Sequence, residues 1–149
     1  MRLKNNLYET DFYAWCLTQA SQLESKEIKN LDWENLKEEI ESLGNAERKE
    51  LVTFLELLFR HLLKCKFQKE YKTRSWLITI KNQRINIRDL LDRNPSLKPK
   101  IIECCELAYE KARLNAADET HLDEEVFPEK NPFSYEWALK EGWFPEGEN

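Results

Sequence analysis

Glycine and proline are scarce in this sequence, with three and five residues respectively in a chain of 149. All-β proteins need many tight turns, and glycine and proline supply most of the backbone conformations that such turns require. Leucine, glutamate and lysine dominate the chain instead, and these residues favour helices. The composition therefore predicts an all-α protein with very little sheet.

Long apolar runs are also missing. The sequence has no stretch of about 18 consecutive apolar residues, which is the length that a membrane-spanning helix needs. Residues 1–6 are polar and are not followed by the apolar core of a secretory signal. We therefore expect no membrane span and no membrane partner, and we expect the protein to lie in the cytoplasm.

The short motifs that mark most catalytic and metal sites are absent from the sequence. There is no HExxH, no GxSxG, no glycine-rich phosphate loop and no CxxC pair, and the chain has only two histidines. The four cysteines lie in helical patterns, which favours buried free thiols over disulfides or metal ligands. We therefore expect no metal and no cofactor, and the sequence favours a protein without enzymatic activity.

A strongly apolar segment at residues 50–68 dominates the middle of the sequence. The residues that repeat there at alternating spacings of four and three, as on one helix face, are Leu51, Leu55, Leu58, Leu62 and Cys65. The polar stripe of this helix consists of Thr53, Glu56, Arg60 and Lys64. A helix this apolar must be covered by several neighbours. The pattern predicts one domain over residues 1–149, a bundle of about five helices around this central helix plus a short C-terminal helix, with flexible ends at 1–6 and 146–149.

A second amphipathic segment precedes the central helix. Asp32 is placed to cap it, Gly44 is predicted to end it, and Asn45 is predicted to cap the central helix. A tight corner at this point would pack the two helices antiparallel. The apolar face that would then fold back on the central helix consists of Trp33, Leu36, Ile40 and Leu43.

Charge is distributed unevenly along the chain. The formal charge is −4 over residues 1–63, +8 over 64–100 and −9 over 101–149. We call residues 64–93 the basic block, and it includes the aromatic residues Phe67, Tyr71 and Trp76. Cations interleaved with aromatic rings can bind nucleic acid. They can equally pair with the acidic first and fifth helices of the same molecule or with an acidic protein, and pairing within the molecule or an oligomer is favoured.

Two small sets of residues are the candidate sites. His61 lies beside the apolar face of the central helix, and Glu39 is the predicted hydrogen-bond partner, either as a structural pair or as a catalytic acid–base pair. Arg74, Trp76 and Arg84 are predicted to flank one edge of the fourth helix. Two guanidinium groups beside an indole could grip a carboxylate or phosphate, although the arginines could also satisfy internal carbonyls or acids.

Several segments, taken together and in this order, resemble the family catalogued as domain of unknown function 29, which is found mostly in cyanobacteria. The segments are DFYAW at 11–15, LDWENLKEEIESLG at 31–44, RHLLK at 60–64, RSWLITIKNQR at 74–84 and FPEKNPFSYEWALKEGWFPE at 127–146. Cys65 replaces an expected aromatic residue, and the adjacent cysteines at 104 and 105 are additional. The resemblance implies a helical fold and a cytoplasmic bacterial setting, and it transfers no catalytic residue.

Three functional hypotheses follow from the sequence. The first is a small cytoplasmic interaction or regulatory protein that binds another protein or a second copy of itself. The second is a nucleic-acid-binding module that uses the basic block. The third is a hydrolase-like site around Glu39 and His61, with Arg84 nearby.

Overall fold

The computed structural model describes residues 6–146, and these divide between residues 45 and 46 into two compact units. No strand occurs within the described range. The six α-helices are α1 (Leu7–Thr10), α2 (Phe12–Glu24), α3 (Trp33–Phe67), α4 (Arg74–Arg93), α5 (Ile101–Thr120) and α6 (Tyr135–Ala138). The predicted all-α class is confirmed. The single domain stays a prediction, and the flexible ends predicted at 1–6 and 146–149 fall almost entirely outside the described residues.

The first unit has a small core between α2 and the residues that lead into α3. The Trp15 indole N–H donates to the Asp32 carboxylate over 3.0 Å, and the Asp32 backbone N–H donates to the Gln19 side chain over 2.8 Å. Trp15, Gln19 and Leu31 are the buried residues among those described in this unit. Three buried side chains leave most of the apolar surface of this unit uncovered.

The predicted corner at Gly44 is wrong, because α3 continues through Gly44 and Asn45 without interruption. Gly44 does not adopt the positive φ of a helix-ending glycine, unlike Gly142, whose φ is 80°. A glycine inside a helix costs about 1 kcal/mol relative to alanine. Helix-favouring neighbours and the packing of residues 51–67 offset that cost, so the chain has no local reason to turn.

The second unit is organised around the C-terminal half of α3, as the seam predicts. Leu51, Leu55, Leu58 and Leu62 are completely buried, and Cys65 is 3% exposed. Apolar residues of α4, α5 and the C-terminal segment share this core with α3; among them are Ile80, Ile87, Leu90, Cys104, Ala108, Ala112, Ala116, Phe127 and Phe133. The small alanines of α5 allow close approach of neighbouring side chains. The central helix of the predicted bundle is therefore confirmed over residues 51–65.

Candidate functional site

Glu39 lies in the first unit, where its carboxylate accepts a hydrogen bond from the Tyr8 hydroxyl. This hydrogen bond, together with burial and the negative charge of Glu39, raises the pKa of Tyr8 to about 12. The phenol is therefore neutral at physiological pH. The contact gives Glu39 a structural partner that joins α1 to α3.

His61 is half-buried in the second unit and has a different partner. Its Nδ1 lies 2.9 Å from the Leu57 carbonyl oxygen one turn earlier, so Nδ1–H donates to that carbonyl. Burial lowers the pKa of His61, and the nearby Lys64 and Arg60 act in the same direction. Glu39 and His61 thus each have a partner within their own unit. The pairing of the two residues and a catalytic role for either stay predictions.

His61 should make stability depend on pH near its ordinary pKa of 6.5. Because the folded state lowers this pKa, the unfolded state binds the proton more readily, so stability is complete above about pH 6.5 and falls as the pH decreases through it. Urea unfolding between about pH 7.5 and about pH 5.5 should show this loss. The loss should be smaller in His61→Asn.

His121→Asn is the matched control for this measurement. His121 is exposed and adopts a positive φ of 60°, which asparagine tolerates. Comparison with this variant separates the effect of His61 from the effect of replacing a histidine elsewhere on the surface. A loss that is the same in all three proteins would show that His61 does not contribute.

Two members of the basic block are used inside the second unit. Lys64 is only 9% exposed; its Nζ lies 2.8 Å from Glu119 Oε2 and 4.5 Å from the centre of the Trp76 ring. Arg84 is 7% exposed. The predicted pairing between the basic block and the fifth helix is therefore present at Lys64. These two buried cations are not available on the surface to contact nucleic acid.

Arg74, Trp76 and Arg84 have three different environments. Arg74 is exposed at the first position of α4, and Trp76 is half-buried beneath Lys64. Arg84 donates from Nε to the Ala138 carbonyl over 2.8 Å and from Nη2 to the Trp143 carbonyl over 2.6 Å. Arg84 thus holds the end of α6 and the segment after it, which is the internal alternative considered for it. A ligand-binding role for the three residues stays a prediction.

A charged network between α3 and α5 was missed by the sequence interpretation. Glu56, 7% exposed, accepts from Arg60 Nε over 2.9 Å and from Asn115 Nδ2 over 2.6 Å. Arg60 also donates to Glu119 over 2.7 Å. Although burial alone raises the pKa of Glu119, its hydrogen bonds from Lys64 and Arg60 lower it overall. The sequence did contain a signal for this network, because two pairs of polar residues are each four positions apart on one helix face. The pairs are Glu56 and Arg60 on α3 and Asn115 and Glu119 on α5.

The apolar stripe of the N-terminal half of α3 is exposed, contrary to the prediction that it packs on the central helix. Trp33 is 59% exposed, Ile40 66% and Leu43 69%. The prediction fails because it depended on the corner at Gly44, and a continuous helix cannot fold back on itself. We call Trp33, Ile40 and Leu43 the α3 stripe. Large apolar side chains grouped on one exposed helix face commonly mark an interaction surface.

The described residues include free cysteines but no metal-binding cluster of side chains. No group of three histidine, cysteine, aspartate or glutamate side chains there could hold a metal ion. Cys65, Cys104 and Cys105 are buried free thiols and Cys16 is half-buried. Burial raises the pKa of Cys105 to about 12, which keeps it in the unreactive thiol form.

None of the helices in residues 6–146 combines the length and apolar character needed to cross a bilayer. The longest of them, α3, carries charged residues along its whole length.

Comparisons with known proteins identify the family to which this chain belongs. No curated protein and no solved structure matches the chain. One family model matches residues 7–144, a range that contains all six helices. The matched range also contains four of the segments on which the resemblance was based and residues 127–144 of the fifth. The chain therefore belongs to the family described as Domain of unknown function DUF29.

Proposed function

We propose that the protein is a non-enzymatic interaction protein whose contact surface is the α3 stripe. The carrying observation is the exposure of Trp33, Ile40 and Leu43, each more than half exposed, on one face of a helix. Together with Leu36 they repeat at the three-and-four spacing with which helices pack against helices. Burying such side chains would contribute roughly 1.5–3 kcal/mol each.

The charge around the stripe favours one class of partner. Residues 33–45 carry four glutamates and one lysine, and Lys37 is paired with Glu41 over 3.3 Å. A second copy of the same acidic stripe would place like charges together, which disfavours self-pairing. The partner that fits is an amphipathic helix with an apolar seam flanked by lysine and arginine.

As part of the same proposal we place the protein in the cytoplasm. The four free thiols support this, because reducing compartments keep cysteines unpaired whereas secreted proteins usually pair them. A basic helix of another cytoplasmic protein is then the expected type of partner. No specific observation on the described residues favours the nucleic-acid hypothesis or the hydrolase hypothesis.

A synthetic peptide pair tests this proposal. One peptide is an amphipathic helix with a leucine seam flanked by lysines, and the other has the same seam flanked by glutamates. Trp33 is exposed and reports binding through its fluorescence. The lysine peptide should bind, and Ile40→Glu with Leu43→Glu should weaken it about tenfold or more, which corresponds to ~1.4 kcal/mol.

Ile102→Glu with Leu114→Glu is the matched control, because these residues are 61% and 51% exposed on α5. The control should bind the lysine peptide normally. Equal binding of both peptides, or equal weakening by both double variants, would contradict the proposal. Sedimentation of the protein alone gives a further check, since a dimer that the stripe substitutions dissociate would identify a second copy as the partner instead.

A further inference from the structure

A cleft of about 560 Å³ lies in the second unit between α4, the 3₁₀ turn at Pro95–Lys100 and the segment after α6. This volume is within the range of small-molecule sites, about 300–1,000 Å³. The side chains that matter to its chemistry are the cations Lys81, Arg84, Arg88 and Lys98, the acids Asp92 and Glu141, and the apolar residues Ile85, Ile87, Leu91 and Leu139. The cleft is therefore partly charged and partly apolar.

The charges in the cleft do not balance. Four cations face two carboxylates among the lining residues, which leaves an excess of two positive charges. Arg88 also lies 3.7 Å from Asp89, but both side chains are more than 60% exposed, and an exposed pair of this kind contributes little. An anion that entered the cleft would find excess positive charge on α4 and on the turn that carries Lys98.

Arg84 adds to this imbalance, because its charge is buried and no carboxylate of the described residues accepts a hydrogen bond from it. Its two hydrogen bonds go to the backbone carbonyls of Ala138 and Trp143, and its third nitrogen, Nη1, is buried without a partner among the described residues. Burial lowers the pKa of Arg84, and the negative charge of Glu141 opposes this only in part. A nearby anion would offset that penalty.

The floor and rim of the cleft are apolar. Ile87 is 1% exposed and Leu91 9%, so both form part of the core beneath the cleft, whereas Ile85 is 44% exposed at its edge. A free inorganic anion would leave these surfaces in contact with water. An anion that carries an apolar body covers them and gains the hydrophobic contribution as well.

We propose that this cleft binds an organic carboxylate with an aliphatic body, held by Lys81, Arg88 and Lys98 at its charged end and by Ile85, Leu91 and Leu139 along its chain. The site is separate from the α3 stripe. Its occupant is a small molecule, so the two proposals can succeed or fail independently.

Titration of the full chain with decanoate, followed by amide chemical shifts at low ionic strength, tests this site. Decanoate should change the amide chemical shifts of residues that line the cleft, and the change should saturate with concentration. Decan-1-ol has the same chain without the charge, and acetate has the charge without the chain, so both should bind at least about tenfold more weakly. Equal binding of decanol, or no saturable shift with decanoate, would overturn the proposal.

Two variants locate the binding. Replacing Lys81, Arg88 and Lys98 together by alanine should weaken decanoate binding about tenfold or more, because three exposed cations leave the cleft. The control replaces three exposed cations outside it, Arg93, Lys111 and Lys130, with the same change in net charge. Equal weakening by both sets would show only non-specific attraction and would overturn the site.

Ile85→Glu provides a test that does not depend on removing cations. The position is 44% exposed, so the fold should tolerate the change, and the new carboxylate would stand in the path of the ligand. Decanoate binding should be lost while thermal unfolding stays close to that of the unsubstituted protein. Undiminished binding in this variant would place the ligand elsewhere.

Discussion

Glu56→Ala is expected to lower the free energy of unfolding by about 2–4 kcal/mol. Glu56 is 7% exposed, and its carboxylate accepts from Arg60 on the same helix and from Asn115 on α5. Its removal leaves the Asn115 amide without this acceptor and part of the Arg60 guanidinium without its counter-charge. Arg60 keeps its second acid, Glu119, which holds the effect below that of a fully isolated charge.

Urea unfolding followed by circular dichroism measures this effect, and Glu50→Ala is its matched control. Glu50 lies on the same helix but is exposed, so its substitution should change stability by no more than about 0.5 kcal/mol. Glu56→Gln should fall between the two, since the amide retains an acceptor but lacks the charge. Similar values for Glu56→Ala and Glu50→Ala would show that the network does not stabilise the fold.

Arg84→Ala is the second substitution with a large expected effect, about 2–4 kcal/mol. It removes two charge-assisted hydrogen bonds to the carbonyls of Ala138 and Trp143 and leaves a cavity where a buried side chain lay. It also removes the contact between the guanidinium and the Phe144 ring, 5.5 Å from its centre. The segment from α6 onward should therefore loosen before the rest of the second unit unfolds.

Limited proteolysis alongside urea unfolding separates this local effect from a global one. In Arg84→Ala, cleavage after α6 should become faster at urea concentrations where the helices remain folded. Arg84→Lys should recover little, because one ammonium group cannot bridge two carbonyls as a guanidinium does. Arg74→Ala is the control, since Arg74 is exposed on the same helix. If Arg74→Ala destabilised the protein as much as Arg84→Ala does, the hydrogen bonds of Arg84 to the two carbonyls would have no special role.

The local sequence pattern was sufficient to predict burial where one face of a helix is apolar along its length. The seam from Leu51 to Cys65 could be predicted because burial on one side of a helix requires that spacing. The break at Gly44 could not be judged in the same way. A glycine followed by asparagine ends a helix in one context and lies within it in another, and a difference of about 1 kcal/mol is decided by the packing of residues on either side.

The candidate sites also show what a local sequence pattern can predict and what it cannot. The helical wheel shows that His61 borders an apolar face. It does not identify the hydrogen-bond partner of His61, because the Leu57 carbonyl competes with every acceptor that the fold brings near. Glu39 was the predicted partner because a corner at Gly44 would have brought its helix back across the central one. Arg84 was selected for its position beside Trp76, whereas its role is set by carbonyl groups that lie 54 and 59 residues later in the chain.

The sequence by itself determined the helical class, the central apolar helix, the alternation of acidic and basic segments, and the absence of common catalytic motifs. These properties depend on composition and on spacings within one helix, where neighbours in sequence are neighbours in space. The tertiary structure alone decided which charges are internal: Glu56, Lys64 and Arg84 are buried, whereas Arg74 and Arg88 are exposed. All are ordinary polar residues of amphipathic helices. Their burial depends on partners brought together from distant parts of the chain, because a charge leaves water only where such partners compensate it.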